Sequence, residues 1–158
     1  NKNMKRNYLA FFLIMFMTLS ACGYKVVKNS KNINIQSITS TGDKRASYMI
    51  KNQLLLNSSN DGIHKINIIL STEKTKTAKE KNISGTVKKY YLNLKTDMII
   101  KNDKDVIVLE KSFSTTNDFE VEKRNSETII LEKKKTKNLI DQLAEQINTF
   151  LIIHYQNR

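Results

Sequence analysis

Few side chains in this sequence could perform covalent or acid–base chemistry. The 158 residues include one cysteine, Cys22, and two histidines, His64 and His154. The histidines are far apart in sequence, and no phosphate-binding glycine loop, dinucleotide-binding motif or HExxH zinc motif is present. We therefore expect both histidines to be surface or boundary residues. We predict no metal site, no cofactor and no enzymatic activity.

Acidic residues occur near one turn and one strand end. Paired carboxylates can act as a general acid and base, but acids at such places more often keep turns and strand edges soluble. We interpret them in that second way. The residues are Asp103, Asp105, Asp118, Glu120 and Glu122.

The composition excludes several classes of protein. One cysteine cannot form a disulfide framework or a zinc finger, and four glycines without proline exclude a collagen-like chain. With 39% apolar residues the chain is not expected to be disordered. The length suits one domain with a modest core.

The first 21 residues are predicted to be a lipoprotein signal peptide. Lys5 and Arg6 precede an apolar run, Tyr8–Leu19, of 12 residues. Such a run spans roughly 18 Å as a helix, against about 30 Å for a bilayer core, which is typical of a secretory signal rather than an anchor. The run ends in Leu19-Ser20-Ala21-Cys22-Gly23, which resembles the bacterial lipobox.

Cys22 is the predicted lipidation site. In signals of this class the thiol is diacylated, the chain is cut before the cysteine, and the new amino group is acylated. The covalent lipid on Cys22 would thus be an S-diacylglycerol and an N-acyl group, and it would anchor the chain firmly. Gly23 in place of aspartate favours the outer membrane, with the domain facing the periplasm. The mature chain has 158 − 21 = 137 residues and a formal charge of 12 − 3 = +9.

We divide the remaining chain into a tether, residues 22–32, and a single α+β domain, residues 33–158. A short strand over 33–38 is followed by a turn at 41–43, with Asp43 as a possible helix cap, and by a helix over 44–56. Polar residues over 72–85 suggest a connection made of extended strand ends around a tip.

Three alternating patterns and one long helical pattern follow. Alternation around Ile66–Leu70, Tyr90–Ile100 and Ile107–Phe113 predicts an antiparallel sheet with one buried face, whose last two strands form a hairpin. Apolar residues from Ile129 to Phe150 recur at helical spacing and predict a helix over 126–154. The expected fold is a two-layer α+β sandwich in the order β-α-β-β-β-α, with a mostly antiparallel sheet of about four strands and two helices packed on it.

Lysines form two groups. Lys133, Lys134, Lys135 and Lys137 lie on the last helix, where a solvated face is the more common reading. The other group could either blunt an exposed strand edge or bind an anionic partner, and the sequence leaves both open. Its members are Lys74, Lys76, Lys79, Lys81, Lys88 and Lys89. In the periplasm the expected anion is a glycolipid head group and not nucleic acid.

The whole pattern resembles the lipopolysaccharide-assembly lipoprotein LptE family (RlpB-like proteins). The resemblance covers nearly the whole mature chain and combines the order of elements with five short segments. These are Cys22-Gly23-Tyr24, Tyr48–Leu54 on the first helix, Tyr90–Leu94 on the central strand, Phe113–Phe119 after the hairpin and Leu143–Ile147 on the last helix.

The resemblance implies a non-enzymatic protein that partners and plugs a β-barrel of the LptD type in the outer membrane. It also implies lipopolysaccharide binding and a role in lipopolysaccharide assembly at the cell surface. We expect Lys88, Lys89, Lys74 and Lys76 to contact the phosphates. Two alternatives remain: another periplasm-facing adaptor lipoprotein of an outer-membrane assembly or secretion complex, and an enzyme or inhibitor acting on the cell wall.

Overall fold

The computed structural model describes residues 32–156, so the predicted signal peptide and Cys22 lie outside the described residues. The chain folds in the predicted order and layers, as a sheet with two helices on it. The elements are β1 (Ile33–Gly42), α1 (Lys44–Leu56), β2 (His64–Lys81), β3 (Val87–Asn102), β4 (Ile107–Glu120) and α2 (Asn125–Gln156).

The four strands form one mixed sheet in the order β1-β2-β3-β4. β2, β3 and β4 are antiparallel, whereas β1 runs parallel to β2 because α1 returns the chain to the same end of the sheet. β1 continues to Gly42, through part of the predicted turn, since Thr39–Gly42 pair with Ile69–Thr72. The sheet is therefore mostly antiparallel, as predicted.

The core lies between the helices and one face of the sheet. Alternate residues of β2 and β3 face the helices, as the two-residue period predicted. A buried hydrogen bond of 3.0 Å joins the hydroxyl groups of Thr72 and Thr96 within this layer. The largest fully buried side chains are Ile50, Leu54, Ile68, Leu70, Leu92, Leu94, Met98, Ile100, Leu139, Ile140, Leu143 and Ile147. Neither helix of the described residues is long and apolar enough to cross a membrane.

β2 and β3 extend as a long hairpin beyond the part that the helices cover. The polar segment 72–85 is mostly strand, and the turn occupies only residues 82–86. Asn82 Oδ1 accepts a hydrogen bond of 2.8 Å from the backbone N–H of Thr86 and another of 2.8 Å from the Ser84 hydroxyl. The tip is thus tied by its own side chains.

Two residues that the periodicity assigned to the core are exposed. Ile129 is 43% exposed because it lies beside the start of α1, where it lines a surface groove. Ile107 is 50% exposed because an irregularity between Ile100 and Lys101 shifts the register and pairs it with Lys101. A shift of one residue moves a side chain to the other face of a sheet.

The junction between β1 and α1 is tightly constrained. Asp43 caps the helix, as predicted, by accepting a hydrogen bond of 2.8 Å from the backbone N–H of Ala46. Its own N–H donates to the carbonyl oxygen of Thr72 at 2.8 Å. Gly42 has a φ of 89°, and a Cβ atom there would lie 2.0 Å from the same carbonyl oxygen. Only glycine fits this position without movement of the backbone.

We expect Gly42→Ala to lower the free energy of unfolding by about 2–5 kcal/mol. About 1–2 kcal/mol comes from the left-handed backbone and about 1–3 kcal/mol from the overlap with Thr72. Gly85→Ala is the matched control, because Gly85 has a φ of 81° and a Cβ atom there would meet nothing within 4 Å beyond its chain neighbours. Urea denaturation measures both variants, and equal losses would show that the contact with Thr72 does not matter.

Candidate functional site

The four lysines predicted to bind lipopolysaccharide lie on the β2–β3 hairpin but do not form one cluster. Lys74 and Lys76 continue the alternate positions of β2 that face the helices. Lys89 lies on the opposite face, where its ammonium group is 3.8 Å from Asp118. Lys88 is exposed next to it. The lysines of the hairpin therefore belong to two separate surfaces.

The first surface is a groove between the start of α1, β2 and α2, with a volume of about 260 Å³. We call it the helix groove; its charged residues are Arg45, Lys74, Lys133, Lys137, Asp43 and Glu132. Lys137 pairs at 2.7 Å with Asp141, which also accepts a hydrogen bond from Gln53. Lys74 lies 4.0 Å from Asp43. Arg45 and Lys133 have no ion pair among the described residues, so the groove keeps positive charge available for an anion.

Lys76 holds two elements together. Its ammonium nitrogen lies 2.7 Å from a carboxylate oxygen of Glu132 on α2 and 4.5 Å from the centre of the Tyr90 ring. Tyr90 in turn stacks on Phe119, with 5.5 Å between ring centres. An ion pair at a partly exposed site contributes about 0–1 kcal/mol, and an exposed cation–π contact contributes about 0.5–1 kcal/mol. Lys76 thus fastens the start of α2 to the hairpin, and its charge is already matched.

The second surface lies on the face of the hairpin that the helices leave open. We call it the hairpin cluster; it consists of Lys79, Glu80, Lys89 and Asp118. Lys79 donates a short hydrogen bond to Asp118, which lowers the pKa of the aspartate and raises that of the lysine. Lys89 lies between the two acids, 3.9 Å from Glu80 and 3.8 Å from Asp118. These charges largely neutralise one another.

Lys81 and Lys88 stand at the tip end of the hairpin. Both are exposed, and neither has an ion pair among the described residues. Residues 74–89 contain six lysines and one acid, Glu80. Of the four predicted lysines, Lys88 is the one whose charge is available to a phosphate without the loss of an existing ion pair.

The two histidines, which are far apart in sequence, lie close together in the structure. Both contact Tyr155, with ring centres 5.0 Å from its ring in each case. Both are partly exposed, as expected of boundary residues. No group of three or more His, Cys, Asp or Glu within residues 32–156 could hold a metal ion.

The acidic residues lie in the β3–β4 turn, at the end of β4 and just beyond it. Asp105 adopts a left-handed conformation with a φ of 59° in the β3–β4 turn and lies 3.0 Å from the ammonium group of Lys101. Asp118 neutralises the hairpin cluster, while Glu120 and Glu122 are exposed.

Sequence reasoning missed Arg45 as part of a basic surface. It is one cation in the first turn of α1, and its neighbours in the groove, Lys133 and Lys137, lie about ninety residues further along the chain. No local signal in the sequence links them, because the contact depends on how α1 and α2 pack.

Comparison with known proteins identifies the fold. No protein-family model matches the sequence, and no curated protein matches it significantly. Among solved structures, a minor lipoprotein of Acinetobacter baumannii is similar over 80% of this chain and 94% of its own, with a TM-score of 0.55 and 14% identity. A predicted lipoprotein of Caulobacter crescentus matches 77% of this chain and 92% of its own, with a TM-score of 0.55 and 14% identity.

A third similar structure is the solution structure of lipoprotein B from Nitrosomonas europaea. It covers 80% of this chain and 88% of its own, with a TM-score of 0.53 and 12% identity. The chain has the fold of these bacterial lipoproteins. The order of elements that underlies the resemblance to the LptE family is therefore confirmed.

We expect Asp118 to titrate below its ordinary pKa of 3.8 in a side-chain NMR titration, chiefly because Lys79 donates a hydrogen bond to the carboxylate. Lys79→Met should raise this pKa towards 3.8. Lys89→Met should raise it less, since that ammonium group acts at 3.8 Å without a hydrogen bond.

The lowered pKa of Asp118 also makes the stability of the fold depend on pH. A carboxyl group whose pKa is lower in the folded state stabilises it above the unfolded-state pKa, and this contribution is lost as the pH falls through the folded-state pKa. Lys104→Met removes a distant charge and should leave the titration of Asp118 unchanged. An equal change in all three variants would contradict the specific pairing.

Proposed function

We propose that this chain is an outer-membrane lipoprotein that partners and plugs an LptD-type β-barrel and assists lipopolysaccharide assembly at the cell surface. The observation that carries the proposal is the fold, which matches solved bacterial lipoproteins over 77–80% of the chain. The lipobox-like segment that ends at Cys22 and the resemblance to the LptE family supply the location and the partner.

The proposed anchor is the lipid on Cys22. Each buried CH₂ group contributes about 0.8 kcal/mol, so several acyl chains on one residue hold a protein on a membrane firmly. Gly23 supports delivery to the outer membrane, where the domain would face the periplasm. Cys22→Ala should leave an uncleaved precursor without lipid.

The shape and polarity of the domain suit the lumen of a large barrel, whose interior is polar. Four strands span roughly 14 Å between the axes of β1 and β4, and the 18 residues of β2 extend for roughly 60 Å. The face of the sheet without helices carries mainly hydroxyl, amide and charged groups. These include Asn67, Ser71, Thr75, Thr77, Asn93, Lys95, Asp97, Ser112, Ser114 and Thr116.

Lipopolysaccharide binding is supported by the excess of lysine on the hairpin. Lipid A and core phosphates are anions, and hydrogen bonds between ammonium and phosphate groups are among the stronger ones in proteins. Lys88 and Lys81 are available for such contacts, and the helix groove offers Arg45 and Lys133. We propose a non-catalytic role for these residues, since delivery of the lipid needs binding and release and no bond is made or broken.

Depletion of the protein in its host tests the function as a whole. We expect the LptD-type barrel to be misassembled and lipopolysaccharide to accumulate inside the cell, because the proposed partner would lack its plug. The barrel should also co-purify with the tagged protein. Normal surface lipopolysaccharide after depletion would overturn the proposal, and co-purification of a different outer-membrane complex would support the adaptor alternative.

Charge reversal tests which lysines bind the lipid. Lys81→Glu/Lys88→Glu should weaken the binding of purified lipopolysaccharide by about tenfold or more at low salt, because each lost charged hydrogen bond costs about 1.5–3 kcal/mol. Lys74→Glu/Lys76→Glu tests the helix-facing pair, and Lys88→Glu/Lys89→Glu tests the adjacent pair predicted from the sequence.

The matched control is Lys65→Glu/Lys104→Glu, which makes the same change in charge at the other end of the domain. Binding should also weaken as salt screens the contacts. Equal losses in every double variant would show that net charge, and not the hairpin, governs binding. Circular dichroism confirms that each variant is folded.

A further inference from the structure

Six large apolar side chains are exposed at one end of the domain. Of the thirteen exposed large hydrophobic residues in the described chain, six lie at the end where β1 begins and β3 turns into β4. We call this surface the tether end; it consists of Leu55, Leu56, Ile63, Val106, Ile107 and Val108. Leu56 and Ile63 are 84% and 77% exposed. Such concentrations of exposed apolar groups mark interaction surfaces.

Hydrogen bonds fix the loop between α1 and β2, which ends at Ile63, to the start of β1. The loop after α1 is fixed to the start of β1 by a hydrogen bond of 2.9 Å from Ser59 N–H to the Ile33 carbonyl oxygen. Asn34 Nδ2 donates to the Asn60 carbonyl oxygen at 2.8 Å. Ile63 and Val108 line one cavity of about 270 Å³. The starts of β1 and β2 and the β3–β4 turn lie at the same end of the sheet, whose four strands span roughly 14 Å between the axes of β1 and β4.

The tether end is also the place where the N-terminal segment joins the domain. The backbone carbonyl oxygen of Asn32 accepts a hydrogen bond of 2.9 Å from the backbone N–H of His64, at the start of β2. Asn32 follows Cys22 by ten positions, and a chain of that length reaches at most about 36 Å. The tip of the β2–β3 hairpin lies roughly 60 Å away from this end along β2. A lipid on Cys22 would therefore hold the tether end within about 36 Å of the bilayer, whereas it sets no such limit on the hairpin tip.

The two ends differ in charge as well. Residues 61–66 and 101–106 contain three lysines (Lys65, Lys101 and Lys104) and three aspartates (Asp61, Asp103 and Asp105), so the tether end has no net formal charge. Lys101 and Asp105 are paired at 3.0 Å. A neutral, apolar surface suits the boundary between head groups and acyl chains, whereas the basic hairpin suits an anionic ligand.

We propose that the tether end rests on the phospholipid bilayer, with Leu56, Ile63 and Val106 in the interfacial region. This contact and the lipid on Cys22 would be two attachments of the free protein to the bilayer, before the domain occupies the lumen of its proposed barrel. The inference rests on the lipidation in the proposed function. It does not depend on the barrel or on lipopolysaccharide.

The test uses the lipidated full-length protein in vesicles of phosphatidylethanolamine and phosphatidylglycerol that contain a lipid with a nitroxide quencher near its head group. Ile63→Cys and Val106→Cys are labelled in separate samples with an environment-sensitive dye; the diacylated thiol of Cys22 does not react. Ile83→Cys is the matched control, since Ile83 is a fully exposed apolar residue at the hairpin tip.

We expect a blue shift and at least about twofold stronger quenching at positions 63 and 106 than at position 83, because an interfacial side chain lies about 5–10 Å into the membrane boundary. Equal quenching at all three positions would overturn the proposal. A blue shift at 63 and 106 without quenching would indicate a second copy of the chain on this surface, and would also overturn it.

The assay separates this inference from the function of the protein. The vesicles hold neither barrel nor lipopolysaccharide, so a failed depletion experiment leaves the quenching result intact. If the protein does not float with the vesicles, the lipidation itself is absent and this inference falls with it. If it floats but positions 63 and 106 remain unquenched, the anchor stands and only the apolar contact is wrong.

Discussion

The fold depends on the burial of one face of the sheet where the first part of β2 pairs with the last part of β3. There every second residue is apolar, and the two helices pack on that face. Burial of a large aliphatic side chain contributes about 1.5–3 kcal/mol, so side chains such as Ile68, Leu94 and Ile100 supply much of the stability. Past Thr72 and Leu92 the apolar pattern ends, and the helical cover becomes thin.

Because the apolar pattern ends there, the rest of the hairpin extends beyond the core and is held by other interactions. Its strands remain paired, and the ion pairs along it, such as Lys76 with Glu132, are exposed interactions of about 0–1 kcal/mol each. The backbone ladder and the stacked rings of Tyr90 and Phe119 therefore position the hairpin more than its charges do. Lys81 and Lys88, near the tip, form no ion pair among the described residues, and their charges are exposed to solvent.

The two ends of the domain consequently differ in character. One end is apolar and neutral and lies where the chain arrives from the predicted anchor. The other end is basic and is held at a distance by two long strands. A protein that fills a passage for an anionic lipid would need this arrangement: attachment at one end, an inert polar face along its length, and cations placed where the phosphates pass.

The sequence by itself determined the elements and the one-sided core, because these follow from local periods of two and 3.6 residues and from local caps such as Asp43. It also indicated the lysine-rich hairpin. Tertiary structure decided the parallel pairing of β1 with β2, the exposure of Ile129 and Ile107, and the meeting of Arg45 with Lys133.

It likewise placed Lys74 and Lys76 on the helix side of the sheet and Lys89 on the other. The reason is physical: side-chain facing depends on strand register, a single bulge inverts it, and contacts between α1 and α2 join residues that no local pattern connects. The charges were therefore evident in the sequence, whereas which of them remain available to an anion depended on the packing.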